Sequence, residues 1–207
     1  LPEDAPIGED PIEYMGWNDN VIDFELTANR GDLLSILGMA YEVGAIYDKK
    51  VKNIDLSHKE TGSLDFIVDV KTENCKLFLA RKVMNVKIGE SPVEIKEKLI
   101  ASGIRPINNV VDISNYVMLE CGQPLHFYDA DKLNGMLQVR MAEEGEKLTT
   151  LDEQERTLTS EDIVISNGKE AIGLAGVMGG LTTEITENTK NVIIESAIFD
   201  SVKVRRT

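Results

Sequence analysis

The chain has 207 residues, of which 42% are hydrophobic, and its 22 Lys and Arg against 36 Asp and Glu give a formal net charge of -14. This hydrophobic content supports a folded core in one large or two modest domains and excludes a disordered chain. The negative charge argues against tight nucleic-acid binding by this chain alone, because affinity for phosphates comes chiefly from cationic side chains.

The first 60 residues are predicted to form an acidic lead-in and a small strand-helix unit. Eight acidic residues and one arginine lie in residues 1–30, and the stretch to about Val21 is predicted to be a solvated linker. Residues 21–27 alternate apolar and polar side chains, which predicts a strand. Asp32 is predicted to cap a helix with apolar residues at helical spacing: Leu33, Ile36, Leu37, Ala40, Val43 and Tyr47.

Two strands and a well-marked helix are predicted next, after a polar stretch at residues 49–62. The strands are predicted at residues 64–70 and 77–86. The run Ser91-Pro92-Val93-Glu94 has the form of a capping box, and it predicts a helix that continues to Ile100. Gly103 is predicted to stop this helix.

The rest of the chain is predicted to be rich in short strands. A second helix is predicted over residues 110–119, and turn residues separate strands at 137–141, 147–150, 156–159 and 163–166. Residues 191–199 are largely apolar and predict a strand that enters the core. Together these elements predict an α+β fold in which mixed sheets pack against helices.

The two cysteines, Cys75 and Cys121, are too few for a disulfide framework and form no C-x-x-C arrangement. We interpret them as reduced thiols of a cytosolic protein. No apolar stretch approaches the ~20 residues that a membrane span needs. The chain begins without Met and without a targeting pattern, so we expect it to be a piece of a longer protein.

Three features are candidates for a site, and each has two interpretations. The glycines of residues 176–180 fit neither a P-loop nor a dinucleotide fingerprint, so either a ligand or another strand approaches the backbone closely there. His126, predicted in a turn after a helix, is either structural or functional. Glu195 inside an apolar strand is either paired with Arg or backbone N–H groups, or is the polar anchor of a ligand pocket.

The residues by themselves do not predict a reaction. No Ser-His-Asp order and no diagnostic pair of carboxylates is recognisable, and the histidines His58 and His126 are too far apart in sequence for a zinc cluster. The prediction is a pocket that involves residues 122–126, the glycines of residues 175–180 and Glu195.

The run from Gly103 to Glu120, GIRPINNVVDISNYVMLE, resembles the B3/B4 region of the bacterial phenylalanyl-tRNA synthetase β-subunit family. Residues 122–126, 175–180 and 195–207 agree with that family. Residues 26–32 resemble its T-x-N-R-x-D segment, which returns the chain to the B1 region. The resemblance therefore implies a linker and B1 remnant at residues 1–60, and a C-terminally truncated B3/B4 editing domain at residues 61–207.

This resemblance also implies an activity and a set of site residues. In the family the whole enzyme charges tRNA(Phe) with phenylalanine using ATP and Mg²⁺, while the B3/B4 region hydrolyses mischarged Tyr-tRNA(Phe) without a cofactor or metal. The editing histidine falls on His126, and the carboxylate that recognises the tyrosine hydroxyl falls on Glu195. The remaining implied positions are Gly176 and Gly179 for catalysis, and Asn109, Asn115 and Ala175 for substrate binding.

The implied partners are an α subunit in an α2β2 heterotetramer, tRNA(Phe) bound through other domains, and tyrosine as the ligand of the editing site. The implied location is the cytoplasm, with no membrane association. Two residues depart from the family pattern: Phe127 replaces Ala, which predicts a narrower pocket, and Glu153 replaces Gly. The competing hypothesis is a noncatalytic structural or amino-acid-binding module.

Overall fold

The structure, a computed structural model, describes residues 5–63 and 65–207. It contains two compact units, each built from two stretches of chain: the first reaches to Asn53 and resumes at Gly89–Gln123, and the second comprises Ile54–Ile88 and Pro124–Thr207. The domain boundary predicted at residue 60 comes from the family resemblance, whereas these two units are defined by compactness. The predicted boundary therefore stays a prediction. Within the described ranges, no helix is both long and apolar enough to cross a membrane.

The first unit is helical. Its helices are α1 (Pro11–Tyr14), α2 (Ile36–Ile46), α3 (Val93–Ala101) and α4 (Asn109–Cys121), with a 3-10 turn at Gly31–Leu33. The two main helices that the sequence predicts after residue 90 are confirmed. The predicted linker contains α1, whose first turn is capped by Asp10 through its side chain and the Ile12 amide. The first four residues of that linker lie outside the described part of the chain.

The strand predicted at residues 21–27 is wrong. This stretch is not paired with another strand, and Val21 and Ile22 are 70% and 71% exposed. Alternation of side chains alone does not make a strand, because a strand needs a neighbour for its backbone hydrogen bonds.

Two predicted helix caps are also wrong. Ser35, not Asp32, caps α2, since its Oγ accepts a hydrogen bond of 3.0 Å from the Gly38 amide. Asp32 instead pairs with the Arg30 guanidinium. The hydroxyl of Ser91 donates to the buried Asp112 carboxylate at 2.5 Å rather than capping α3, which begins after Pro92.

The ends of α4 agree with its local sequence. Asn108 accepts hydrogen bonds of 3.1 Å from the amides of Val110 and Val111, and Gly122 ends the helix in the left-handed conformation. Gly103, just after α3, is also left-handed with φ 76°, as expected for a helix stop.

Among its described residues, the second unit contains the strands and a short α-helix. These elements are β1 (Ile67–Val70), β2 (Cys75–Val83), β3 (His126–Asp129), β4 (Met136–Met141), β5 (Lys147–Thr149), β6 (Glu155–Thr157), β7 (Ile163–Ser166), β8 (Ala171–Leu174), β9 (Met178–Gly179), β10 (Val192–Phe199) and α5 (Ser201–Arg206). The strand predicted from residue 64 begins at Ile67, and Leu64 itself lies outside the described residues. The α+β class is confirmed.

The strands form three sheets. A five-stranded sheet has the order β1-β4-β7-β8-β9, in which β1 and β4 are parallel and the other pairs antiparallel. A three-stranded antiparallel sheet has the order β2-β10-β3, and β5 and β6 form a hairpin. Strands from both ends of the second unit therefore share sheets.

The main core lies between the two larger sheets. Buried residues from both contribute to it: Cys75, Tyr128, Leu137, Val139, Ile163, Ile165, Ile172 and Ile193. A smaller cluster includes Val164, Leu148 and Leu158 on the side of the β5–β6 hairpin. Strand β7 is buried on both faces, because alternate residues point into different clusters.

Candidate functional site

Glu195 lies in the middle of β10, the central strand of the three-stranded sheet. Ala80 is opposite it on β2, and His126 is opposite it on β3. The Glu195 side chain is only 7% exposed, and its Oε2 accepts a hydrogen bond from the Tyr128 hydroxyl. The observed partner is therefore a phenol, and neither Arg nor backbone N–H is among the hydrogen-bond partners described.

Burial sets the protonation of this pair. Loss of solvation raises the pKa of Glu195 to about 7, and the hydrogen bond from Tyr128 works in the opposite direction. The pKa of Tyr128, which is 1% exposed, lies well above its usual value because of burial and the adjacent carboxylate. Tyr128 is thus a permanent donor, while Glu195 changes charge near neutral pH.

His126 is the first residue of β3 rather than a turn residue, so the prediction of its local structure was wrong. As alternate residues of one strand, His126 and Tyr128 project to the same side. Their ring centroids are 4.5 Å apart in an edge-to-face arrangement of 77°. Burial lowers the pKa of His126 to about 4, so its imidazole is neutral near pH 7.

Gly179 provides the space for the imidazole. A Cβ atom at this position would lie 2.3 Å from Cε1 and 2.7 Å from Nε2 of His126, so a side chain here requires the ring to move. The amide of Leu151 donates to the Gly179 carbonyl at 3.0 Å, which brings the β5–β6 turn to the same place. The structure thus brings together three of the predicted site residues: His126, Gly179 and Glu195.

Gly176 and Ala175 precede this glycine in the chain and have other neighbours. Gly176 has φ 71°, and a Cβ there would meet Phe199 and Val204 at 3.2 to 3.4 Å. Ala175 is 3% exposed in the main core, and its amide donates to the Ile163 carbonyl. Their assigned roles in catalysis and binding stay predictions.

Asn109 and Asn115 belong to the first unit, where both lie on α4. The Asn109 side chain accepts a hydrogen bond of 3.2 Å from the Gly89 amide and holds the segment before α3. Their predicted roles in substrate binding stay predictions.

Phe127 does not stand beside the imidazole. It lies opposite Ile194 on β10, and as the residue between His126 and Tyr128 it projects to the other side of the sheet. The prediction that Phe127 narrows the site beside His126 is therefore wrong.

Metal-ligating side chains do not gather in the described part of the chain. Within those residues there is no group of three or more His, Cys, Asp or Glu side chains that could hold an ion. Both cysteines are free, with Cys75 buried and Cys121 exposed.

Tyr128 and Leu151 contact the site, and the sequence interpretation missed both. Tyr128 was detectable in principle, because residues 126–129 are compatible with a strand in which His126 and Tyr128 share a face. Leu151 had no such signal, since its approach to Gly179 depends on a hairpin 28 residues away in the chain.

Comparison with known proteins matches residues 74–207 to the B3/4 domain family. The relatives include phenylalanine–tRNA ligase beta subunits of Bacillus cereus, 51% identical over 213 residues, and of Lactobacillus acidophilus, 50% identical over 215 residues. The beta subunit of Geobacillus kaustophilus is 47% identical over 212 residues. Each alignment covers 100% of this chain and 26% of the relative, so the chain spans about a quarter of their length.

A solved structure has the same fold. An N-terminal fragment of the phenylalanyl-tRNA synthetase beta subunit from Pyrococcus horikoshii aligns with a TM-score of 0.53 and 18% identity. The alignment covers 84% of this chain and 54% of that one. The match to the B3/4 domain family and the identity to the bacterial beta subunits confirm the family resemblance found in the sequence.

Proposed function

Because the chain belongs to the B3/4 domain family and aligns along its whole length with phenylalanine–tRNA ligase beta subunits, we propose that it carries an editing site. This site hydrolyses tyrosine wrongly esterified to tRNA(Phe). The observation that supports the proposal best is the buried Glu195 carboxylate opposite the neutral imidazole of His126.

The chemistry of the two amino acids explains why a second site is needed. Tyrosine differs from phenylalanine by one hydroxyl, and an apolar pocket excludes such an analogue only by about 100-fold. A site that requires a hydrogen bond from the hydroxyl discriminates far better, by ~10⁴-fold, because the analogue leaves a buried polar group without a partner.

Glu195 is the proposed recognition group for the hydroxyl. An ionised carboxylate accepts several hydrogen bonds through its two oxygens, so the bond from Tyr128 to Oε2 leaves it able to accept another. Phenylalanine in the same position would bury the remaining carboxylate oxygen against a ring edge without a donor. Tyrosyl esters are then held and phenylalanyl esters are rejected.

His126 is proposed to orient the attacking water. With a pKa of about 4 it is neutral at physiological pH but a weak base, so it directs the water rather than taking its proton outright. The water oxygen bonds to the ester carbonyl carbon, and the bond from that carbon to the ribose oxygen breaks. One water proton goes to the ribose oxygen, and the new carboxyl group of tyrosine releases the other.

The backbone near Gly176 and Gly179 is proposed to stabilise the oxyanion. The Val177 amide already donates to the Leu174 carbonyl, and the Gly180 amide to the Ile172 carbonyl. In the β8–β9 ladder, hydrogen-bonded pairs alternate, so Met178 is the next residue after Gly180 to pair with β8. We therefore assign the oxyanion donor to the amide of Gly176 or Gly179. The lack of a side chain at Gly179 also lets this backbone lie against the imidazole.

In the whole ligase, the α subunit of an α2β2 assembly is proposed to charge tRNA(Phe) with ATP and Mg²⁺ in the cytoplasm. This part of the proposal rests on the family resemblance, which assigns ATP and Mg²⁺ to the whole enzyme. The charge of -14 supports the assignment of tRNA(Phe) binding to other domains.

One observation favours a second candidate, a noncatalytic structural or amino-acid-binding module. Glu195 already has a partner inside the protein, the Tyr128 hydroxyl. In this alternative the pair is a satisfied buried hydrogen bond of the core, and His126 only packs against Gly179.

The substitution His126→Ala in the whole ligase separates the two candidates. An orienting group contributes ~10² to 10⁴-fold, so Tyr-tRNA(Phe) hydrolysis should fall by about that factor while phenylalanine charging stays nearly unchanged. Rates are measured with tRNA carrying labelled tyrosine. His58→Ala is the control, because His58 is exposed and hydrogen-bonds only to exposed neighbours.

The structural alternative makes a different prediction for His126→Ala. Loss of a packing group lowers the melting temperature and reduces both activities together. A well-folded variant with unchanged Tyr-tRNA(Phe) hydrolysis would contradict the editing proposal.

A further inference from the structure

We propose that Tyr128 is a positioning residue that sets specificity: its hydroxyl holds one oxygen of Glu195, so that the other oxygen is presented to the tyrosyl hydroxyl of the substrate. This inference rests on the proposed editing function. It adds a residue from the protein's own core to the recognition of the substrate.

The geometry of Tyr128 suits a fixed donor. The residue is 1% exposed and belongs to the main core, and its ring contacts the edge of the His126 ring. Its position opposite Ile193 is two residues along β10 from Glu195, on the same side of the sheet. Core packing restrains this ring, so its hydroxyl gives the carboxylate oxygen that it bonds a preferred position.

A donor at Oε2 also favours the ionised form of Glu195. Burial alone raises the pKa of this carboxyl group, and the hydrogen bond from Tyr128 opposes the rise. The ionised form matters for recognition, because a hydrogen bond to a charged acceptor is about twice as strong as one between neutral groups. Without the Tyr128 hydroxyl, Glu195 would be protonated over more of the neutral range.

The other titratable groups that face Glu195 do not replace this effect. His126 on β3 is neutral, and the Cys75 thiol on β2 has a pKa that burial raises. Lys82, the next inward residue of β2 after Ala80, pairs with Asp65 at 2.8 Å. Among these neighbours, Tyr128 is therefore the one whose hydrogen bond favours the ionised form of Glu195 against the effect of burial.

The test uses Tyr128→Phe in the whole ligase, which removes the hydroxyl and keeps the ring. The values of kcat/KM for tyrosyl and phenylalanyl esters of tRNA(Phe) are measured from pH 6 to 9. At pH 7 we expect the tyrosine-to-phenylalanine ratio to fall by about 10-fold or more, since a hydrogen bond to a charged group is weakened. The pH at which the ratio is half-maximal should rise.

Tyr41→Phe is the matched control, because Tyr41 is 58% exposed in the first unit. Phenylalanine charging and the melting temperature report whether the Tyr128→Phe ligase is intact. An unchanged ratio and pH profile, in a ligase whose unmodified form does discriminate, would overturn the inference. Equal loss of both esters with a lowered melting temperature would also overturn it, as a purely structural effect.

Failure of the proposed function gives a separate result. If the unmodified ligase hydrolyses neither ester, the editing proposal is contradicted, and the role of Tyr128 in specificity falls with it. Ester hydrolysis by the unmodified enzyme therefore distinguishes failure of the editing proposal from failure of the Tyr128 proposal.

Discussion

At the scale of single residues, Glu195 and His126 are adjacent groups whose stability effects have opposite pH dependence. Glu195 has a pKa raised to about 7, so it favours the folded state below its ordinary value of 4.5 and loses that contribution as pH rises through 7. His126 has a pKa lowered to about 4, so its contribution is present above 6.5 and is lost as pH falls through 4. The two effects largely cancel in the whole protein.

The substitution Glu195→Gln separates the effect of Glu195 on stability from the effect of His126. The new amide keeps an oxygen that accepts from the Tyr128 hydroxyl, and it removes the titration. Relative to the wild type, the variant should gain roughly 2 kcal/mol in free energy of unfolding between pH 5.5 and 8, from ~1.36 kcal/mol per pKa unit. Urea unfolding at the two pH values measures the gain. His126 is present in both proteins, so its effect does not contribute to the difference in free energy of unfolding between them. Equal pH dependence of stability in both proteins would contradict the raised pKa of Glu195.

At the scale of elements, the turn of the β5–β6 hairpin places a residue with a side chain in a left-handed backbone conformation. Glu153 has φ 61° and stands where the family pattern has glycine. Its amide donates to the Thr150 carbonyl at 2.8 Å, and the residue after Thr150, Leu151, reaches Gly179. The left-handed conformation costs a residue with a side chain about 1 to 2 kcal/mol, so this turn carries strain beside the site.

The substitution Glu153→Gly should therefore stabilise the protein. The relief of strain exceeds the ~0.5 to 1 kcal/mol that glycine adds to the entropy of the unfolded chain, so we expect a net gain of about 0.5 kcal/mol. Gln154→Gly is the matched control: Gln154 does not have positive φ, so it should lose about 0.5 to 1 kcal/mol. Chemical denaturation of the two variants gives the comparison, and a loss of stability in both would refute the strain at Glu153.

The helices show which predictions from sequence agreed with the structure and which did not. The prediction of α4 succeeded because Asn108 and Gly122 act on amides and carbonyls within the same few residues. The capping box at Ser91 failed because a distant residue, Asp112, took the hydroxyl. Strands β8, β9 and the helix α5 were not predicted, and β9 has only two residues, too short for any periodicity to be recognised.

At the scale of the whole molecule, the charge of -14 governs encounters with RNA. Positively charged tRNA-binding proteins lose affinity as salt rises. A strongly negative chain instead repels tRNA, and added salt screens that repulsion.

We therefore predict that the isolated 207-residue chain deacylates Tyr-tRNA(Phe) far more slowly than the whole ligase, and that its rate rises between ~50 and ~200 mM salt. Second-order rates at several salt concentrations give the slope. Hydrolysis of tyrosine ethyl ester is the control, because this substrate has no phosphates and should not respond. A rate on tRNA that falls with salt, or that equals the rate of the whole ligase, would disprove the prediction.

The sequence by itself determined the features that depend on near neighbours: the acidic charge, the extent of α4, the apolar strand β10 with Glu195 inside it, and the family motifs. Tertiary structure decided the features that join distant segments. It paired β1 with β4, left residues 21–27 without a strand partner, and placed the Tyr128 hydroxyl on Glu195, 67 residues further along the chain. The physical reason is that hydrogen-bond partners and burial, which set the pKa values of Glu195 and His126, come from segments that periodicity and spacing do not connect.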